Sequence, residues 1–287
     1  MSTVTAQAEP RTVAPPGRRI ARVTGVAAVG AYRLITALDA DGPPEPRPGQ
    51  FYMLAAERGW GGGTDERPYL PRAFSYARAR RGPDGVELDF LLEAVGPGTA
   101  RLGALRAGEG LALVGPLGLG FRAPAEGTRP LLVGGGIGVA PLVCLADDLT
   151  ATAAPGPPAA ILLGFRTRGH AAAAGLFGAG EPALATDDGS AGRRGLVTEL
   201  LAEALAAEPA ATVFACGPPP MLEAVRALCA DLGVAAQLAL EAGMACGFGA
   251  CFGCVVPTAE GYLRLCVDGP VLDAHRLERA DFPGAGH

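Results

Sequence analysis

Leu131-Leu132-Val133-Gly134-Gly135-Gly136-Ile137-Gly138-Val139-Ala140-Pro141-Leu142 (residues 131–142) passes from an apolar run through a glycine turn into a segment with proline near its start. That order predicts a strand, a tight turn and a helix N-terminus. Glycines there let a pyrophosphate approach the backbone N–H groups that open a helix. The stretch is not a G-x-G-x-x-G fingerprint, because Val139 holds the last position, and no acidic residue closes the next predicted strand. Arg166 and Arg168 stand there instead. By the dinucleotide rule alone the signal is weak.

Working outward, the same rhythm continues towards the C-terminus. Strands are expected at 130–133, 160–164, 183–186, 212–215 and 235–240, and helices at 140–150, 196–206 and 219–232. Residues 153–158 read as a loop. Alternating strands and helices predict a parallel, doubly wound sheet. Phe214-Ala215-Cys216-Gly217-Pro218-Pro219 repeats strand, turn and helix start. It puts Cys216 at the carboxyl end of a strand, where open α/β sheets bind ligands. The bland alternative is a buried structural cysteine. Thr186-Asp187-Asp188-Gly189-Ser190 reads equally well as a solvated turn or as part of that crevice.

Towards the N-terminus the pattern changes. Short β-rich runs at 19–29, 32–38, 50–55, 73–77, 86–94 and 110–114 are separated by Gly/Pro turns, with one helix at 98–105. Evenly spaced short strands predict an antiparallel barrel. Arg72-Ala73-Phe74-Ser75-Tyr76 lies on one of them. An Arg can pair with a pyrophosphate, and a hydroxyl three residues on can bond a flavin ring edge. Leu91-Leu92-Glu93-Ala94-Val95-Gly96-Pro97-Gly98-Thr99 then reads as strand, turn and helix N-terminus, a second anion site. The competing readings are a surface Arg and an ordinary helix cap.

After Glu241 the chain is rich in Gly and Cys. The spacing Cys246-x4-Cys251-x2-Cys254-x11-Cys266 supplies four thiolates, two for each iron of a 2Fe–2S cluster, with the plant-type x4-x2 opening. Gly247, Gly249 and Gly253 let the backbone curl round a compact group. A structural zinc site is the competing metal reading, but it usually shows two separated Cys pairs. Cys144 and Cys229 are expected in the core.

Taken together, these elements resemble a known family over about residues 18–275: the electron-transfer subunit of class 1B dihydroorotate dehydrogenase, within the ferredoxin–NADP reductase superfamily. The most specific part is Glu241-Ala242-Gly243-Met244-Ala245-Cys246-Gly247 followed by Cys266-Val267-Asp268-Gly269-Pro270. The resemblance implies a tail at 1–17, an FAD-binding barrel at 18–127, an NAD-binding α/β domain at 128–240 and a 2Fe–2S module at 241–287. It implies FAD at Arg72, Ala73, Phe74, Ser75, Leu91, Leu92, Glu93, Gly98 and Thr99. It implies NAD(H) at Gly134, Gly135, Gly136, Gly138, Gly217 and Pro218, with Cys216 by the nicotinamide ring. Cluster ligands would be Cys246, Cys251, Cys254 and Cys266. The implied partner is an FMN-containing dihydroorotate dehydrogenase catalytic subunit in pyrimidine biosynthesis, two copies of each chain per complex. The sequence departs from the family in having Ala73 where proline is usual, and in a short last cysteine gap. The two Arg after the second strand leave NAD or NADP open, NAD being the family expectation. Fold and cofactors do not fix the electron acceptor, so a reductase of another multicomponent oxidoreductase stays open, as does a cluster-based redox sensor.

Bulk properties agree. The chain has 287 residues, is 49% hydrophobic and 18% charged, and can bury a substantial core. Its net charge of −5, with 24 basic residues that are all Arg, offers no basic tract for nucleic acid. No apolar run is long enough to span a bilayer, and the first 17 residues lack a signal-peptide core. The expectation is a flexible tail and a cytoplasmic location.

Overall fold

The computed structural model describes residues 17–43, 46–61, 67–152, 157–178 and 181–282. The expected tail falls almost wholly outside these residues, as does most of the expected loop at 153–158.

Strands β1 (Arg18–Val29), β2 (Tyr32–Asp39), β3 (Phe51–Ala56), β4 (Arg72–Ser75), β5 (Arg78–Gly82), β6 (Gly85–Leu92) and β7 (Gly110–Leu117), with helix α1 (Pro97–Gly103), make the N-terminal part. The seven strands form one antiparallel sheet in the order β4-β3-β7-β1-β2-β6-β5. Alternation does the work: in β2, Ile35, Ala37 and Asp39 turn inward, while Tyr32, out of that phase, packs against the parallel-sheet part. The curled interior packs Tyr52, Tyr76 and Phe90 in edge-to-face contacts with ring centroids 5.6–6.1 Å apart. Strand β4 pairs only with β3, so one edge of the flavin segment keeps backbone groups for a ligand.

Asp39 is buried in this sheet, held by Arg19 Nε at 3.1 and 3.0 Å and by Arg19 Nη2 at 2.8 Å. Arg19 Nη2 also donates to the Gly115 carbonyl at 2.7 Å. Replacing Arg19 by Ala would strand a buried carboxylate. Urea unfolding should show a loss of about 3 kcal/mol, against little change for an exposed Arg such as Arg81.

The second sheet holds β8 (Arg129–Gly135), β9 (Ala160–Phe165), β10 (Ala183–Thr186), β11 (Arg193–Arg194), β12 (Ala211–Cys216) and β13 (Ala235–Ala239). They run parallel in the order β11-β10-β9-β8-β12-β13. Helices α2 (Ala140–Ala151), α3 (Arg168–Ala171), α4 (Val197–Ala207) and α5 (Pro219–Leu232) connect them. The central strand β12 is buried along its whole length, as a strand covered on both faces must be. Gly233, in the left-handed region at φ 67°, ends α5.

The C-terminal part contains the hairpin β14 (Val255–Thr258) and β15 (Gly261–Arg264), the turn α6 (Leu265–Asp268) and β16 (Val271–Asp273). Strand β16 returns to the large sheet and pairs antiparallel with β13. Arg122, beyond the barrel, makes an ion pair with Asp273 and donates its N–H to Gln237 at 2.8 Å. The three parts are thus laced together. Among the described residues, no helix is long and apolar enough to cross a membrane.

Candidate functional site

The flavin segment and the first turn of α1 come together as expected. The Arg72 guanidinium packs on Gly98 so closely that a Cβ there would lie 2.7–2.9 Å from it. Arg72 also faces the Trp60 ring at 5.8 Å. Thr99 Oγ1 accepts the Val95 and Gly96 N–H groups at 2.9 and 3.0 Å, so its hydroxyl is spent on capping. What α1 can offer an anion is its first-turn backbone N–H groups. With an Arg on a glycine-cleared helix start beside an edge strand, these residues fit a flavin dinucleotide. The Leu91 and Leu92 side chains are buried in the core, leaving only backbone for a cofactor. The Glu93 side chain turns away, into the pocket of the parallel sheet.

That pocket, of about 550 Å³, is lined by Gly135–Gly138, Gly217, Pro218, Arg166, Asp187, Tyr32 and Glu93, among others. Gly134–Gly135 close β8, and a single 3-10 turn over Gly136–Val139 leads into α2. Gly136 sits in the left-handed region at φ 55°. Val139 is fully buried, which explains an apolar side chain where the fingerprint has glycine. A Cβ on Gly138 would lie 2.5 Å from the Cys216 carbonyl oxygen, so the turn is pressed against the end of β12. A glycine-lined crevice at the carboxyl ends of parallel strands fits a dinucleotide. In the acidic turn, Asp188 Oδ1 accepts the Ser190 N–H at 2.9 Å and closes the loop, while Asp187 lines the pocket.

A second cavity, of about 70 Å³, has the most informative walls. Ala73 and Ser75 come from the flavin segment, Cys216 from β12, Ala242 and Met244 from the cysteine module, and Glu241 from the junction. The Cys216 thiol is pushed well above its ordinary pKa by burial and then by Glu241, so it stands neutral.

The cysteines act on one another's ionisation: Cys251 on Cys246, Cys266 and Cys254 on each other, and Cys246 on Cys266 as well. Backbone N–H groups point at the sulfurs: Gly253 to Cys251 and Cys266 to Cys254, both at 3.4 Å. Burial opposes ionisation of Cys246, but N–H donors from Phe248, Cys251 and Ala250 outweigh it and bring the thiol to about 7. The Cys266 thiol, with burial opposing, brings Cys254 to about 6, and Cys266 is raised in turn. Among the described residues no three His, Cys, Asp or Glu side chains converge on one metal position. Four thiols gathered in one module fit a two-iron group, two thiolates to each iron. The loop seats on the barrel, for a Cβ on Gly247 would strike Met53 and Leu117. Cys254 and Cys266 are buried, Cys251 is exposed, and Phe248 and Phe252 beside it are 51% and 62% exposed.

Comparison with known proteins gives one concordant answer. Residues 241–278 match the iron–sulfur cluster binding domain of dihydroorotate dehydrogenase B. The electron transfer subunit of dihydroorotate dehydrogenase B (NAD(+)) from Caldanaerobacter subterraneus is 36% identical over 237 residues, 81% of this chain and 87% of that one. The chain belongs to the family of dihydroorotate dehydrogenase B electron transfer subunits. Its counterpart from a Geobacillus species is 39% identical over 233 residues, 79% of this chain and 85% of that one. Among solved structures, the NADH-dependent reduced ferredoxin–NADP oxidoreductase shares the fold at TM-score 0.74 and 24% identity, covering 92% of this chain and 91% of that one. The ferredoxin reductase of carbazole 1,9a-dioxygenase aligns at TM-score 0.66 and 26% identity over 77% of this chain and 67% of that one. The three-part fold of this electron transfer subunit is therefore a ferredoxin-reductase barrel and nucleotide sheet with a cluster module attached.

Sequence reading missed Tyr32, Glu241 and Met244 as site residues. Tyr32 follows a hairpin turn with no local pattern to mark it; Glu241 and Met244 lie in the stretch that carries the resemblance, which gives them no part in the cavity. Their place in the site depends on how the three parts pack.

Proposed function

We propose that this chain passes electrons between NAD(H) and the catalytic subunit of dihydroorotate dehydrogenase B, using FAD and a 2Fe–2S cluster. The observation that carries the reading is the shared cavity: the flavin segment, the strand end beside the nucleotide turn and the cysteine module all contribute a wall. When bound, FAD exchanges hydride with nicotinamide and single electrons with an iron–sulfur cluster.

The residues then have defined tasks. Arg72 and the backbone at Gly98 and Thr99 neutralise the flavin pyrophosphate. Ser75 on the open edge of β4 hydrogen-bonds the ring, with Ala73, Phe74 and the backbone of 91–93 completing the contour. Gly134, Gly135, Gly136, Gly138, Gly217 and Pro218 bring the nicotinamide dinucleotide close to the backbone. Cys216, buried and neutral, fills the meeting point and keeps water from it, acting by position rather than as a base. Cys246 and Cys251 would hold one iron, Cys254 and Cys266 the other. The exposed face at Cys251, Phe248 and Phe252 meets the partner, which carries FMN and joins as two copies with two of this chain.

The isolated chain should reduce artificial acceptors with NADH yet leave dihydroorotate untouched, and mixing with the FMN subunit should confer dihydroorotate oxidation. Turnover of dihydroorotate by the isolated chain would refute this division of labour. Purification from the native host with some other redox enzyme would reassign the partner.

A further inference from the structure

The pocket read as holding the dinucleotide contains an acidic side chain in its wall, and the acid belongs to the barrel. Glu93 lies just beyond β6, and Arg166 just beyond β9. Arg166 Nη2 donates to Glu93 Oε1 at 2.6 Å and lies 3.0 Å from His170 Nε2. His170 Nδ1 is 2.9 Å from Thr167 Oγ1, and its ring meets the edge of Tyr32 with centroids 5.6 Å apart. Nearby, the Ala31 N–H of the barrel donates to the Gly169 carbonyl at 2.9 Å. Glu93, Arg166 and Tyr32 line the same cavity as Gly135–Gly138.

A fixed carboxylate in that cavity repels a pyrophosphate unless it has another task. The task is visible: it holds the guanidinium. Arg166 is 64% exposed in its side chain, and ion pairs at that exposure are weak. The pyrophosphate carries two negative charges over its two phosphates against one on the carboxylate, and offers the same guanidinium a two-pronged acceptor, which makes it the stronger partner. We propose that Arg166 is the cation that pairs with the pyrophosphate of the nicotinamide dinucleotide, and that Glu93 is its resting counter-ion, displaced on binding. Because Glu93 is carried by the barrel and Arg166 by the sheet, cofactor arrival also cuts an ionic tie between the two parts. The inference rests on the nucleotide reading of this pocket.

The test is a calorimetric titration of ADP-ribose into the oxidised chain loaded with FAD and cluster. ADP-ribose carries the pyrophosphate but cannot be reduced. Arg166→Gln should weaken binding about tenfold. Glu93→Gln should tighten it about threefold, because a competitor for Arg166 and a repelling charge both disappear. The opposite signs matter, since a purely structural tie would make both variants bind more weakly. Unchanged or weaker binding by Glu93→Gln, or unchanged binding by Arg166→Gln, overturns the inference while leaving the pocket's assignment intact. Failure of the unaltered chain to bind ADP-ribose removes the nucleotide reading itself, and this inference with it.

Discussion

Chain carrying Cys254→Ser should purify without iron and without the cluster's visible absorption, and its last forty or so residues should lose their protection from hydrogen exchange. Cys254 is 2% exposed and belongs to the apolar core that includes Val256, Leu265 and Phe282. Its sulfur takes the Cys266 N–H, and its carbonyl takes the Leu265 N–H at 3.1 Å. Serine there removes one of the two thiolates expected for one iron and leaves a hydroxyl among apolar neighbours. Metal affinity in such modules is folding free energy, so losing the metal loosens the fold built around it. Cys251→Ser makes a useful contrast. That residue is exposed, so iron should again be lost while the apolar packing round Cys254 persists in part. Iron analysis and exchange mass spectrometry read the two effects separately. A full complement of iron in either variant would show that these sulfurs are not the ligands.

Gly138→Ala should abolish reduction of the bound flavin by NADH while leaving its reduction by dithionite intact. The added Cβ would lie 2.5 Å from the Cys216 carbonyl oxygen and 2.6 Å from the Gly217 nitrogen. Both are backbone atoms of the neighbouring strand end, so no rotamer change relieves the clash. Separating the two turns costs about 3 kcal/mol. It also widens the gap that lets a pyrophosphate touch both, and drags Cys216 out of the shared cavity. Gly233→Ala, at the end of α5 and outside the pocket, is the control. Nothing lies within 4 Å of a Cβ at that position, so the penalty is the left-handed backbone alone, about 1 kcal/mol. Stopped-flow bleaching of the flavin by NADH separates the variants. Equal rates for Gly138→Ala and the unaltered chain would mean that the glycine turn does not hold the nicotinamide dinucleotide.

Much of this architecture is legible in local sequence. Strands β2, β10 and β12 and helices α2, α4 and α5 appear within two residues of the expected bounds, because each is a run of apolar residues punctuated by glycine or proline. Strand β5 was not legible. Arg78-Ala79-Arg80-Arg81-Gly82 has no apolar face, and it becomes a strand because β6 offers it a hydrogen-bonded edge, with Arg80 held by Asp89 at 2.6 Å. Strand β16 was hidden for a related reason: three residues, Val271–Asp273, acquire their conformation by pairing with β13, more than thirty positions earlier. Glu93 shows the limit most sharply. In sequence it belongs to the flavin segment, yet its carboxylate serves the other pocket, because the strand turns and the parallel sheet presents Arg166 to it.

The sequence by itself determined most of the longer elements, their order, the change from antiparallel to parallel rhythm and the four clustered cysteines, since spacing along a chain is enough to specify each. Only the tertiary structure decided that Ser75, Cys216 and Met244 share one cavity, that the cysteine loop seats on Met53 and Leu117 of the barrel, and that a barrel carboxylate guards the nucleotide pocket. Those relations arise where separate surfaces bury one another, and burial between distant segments leaves no periodic trace in either of them.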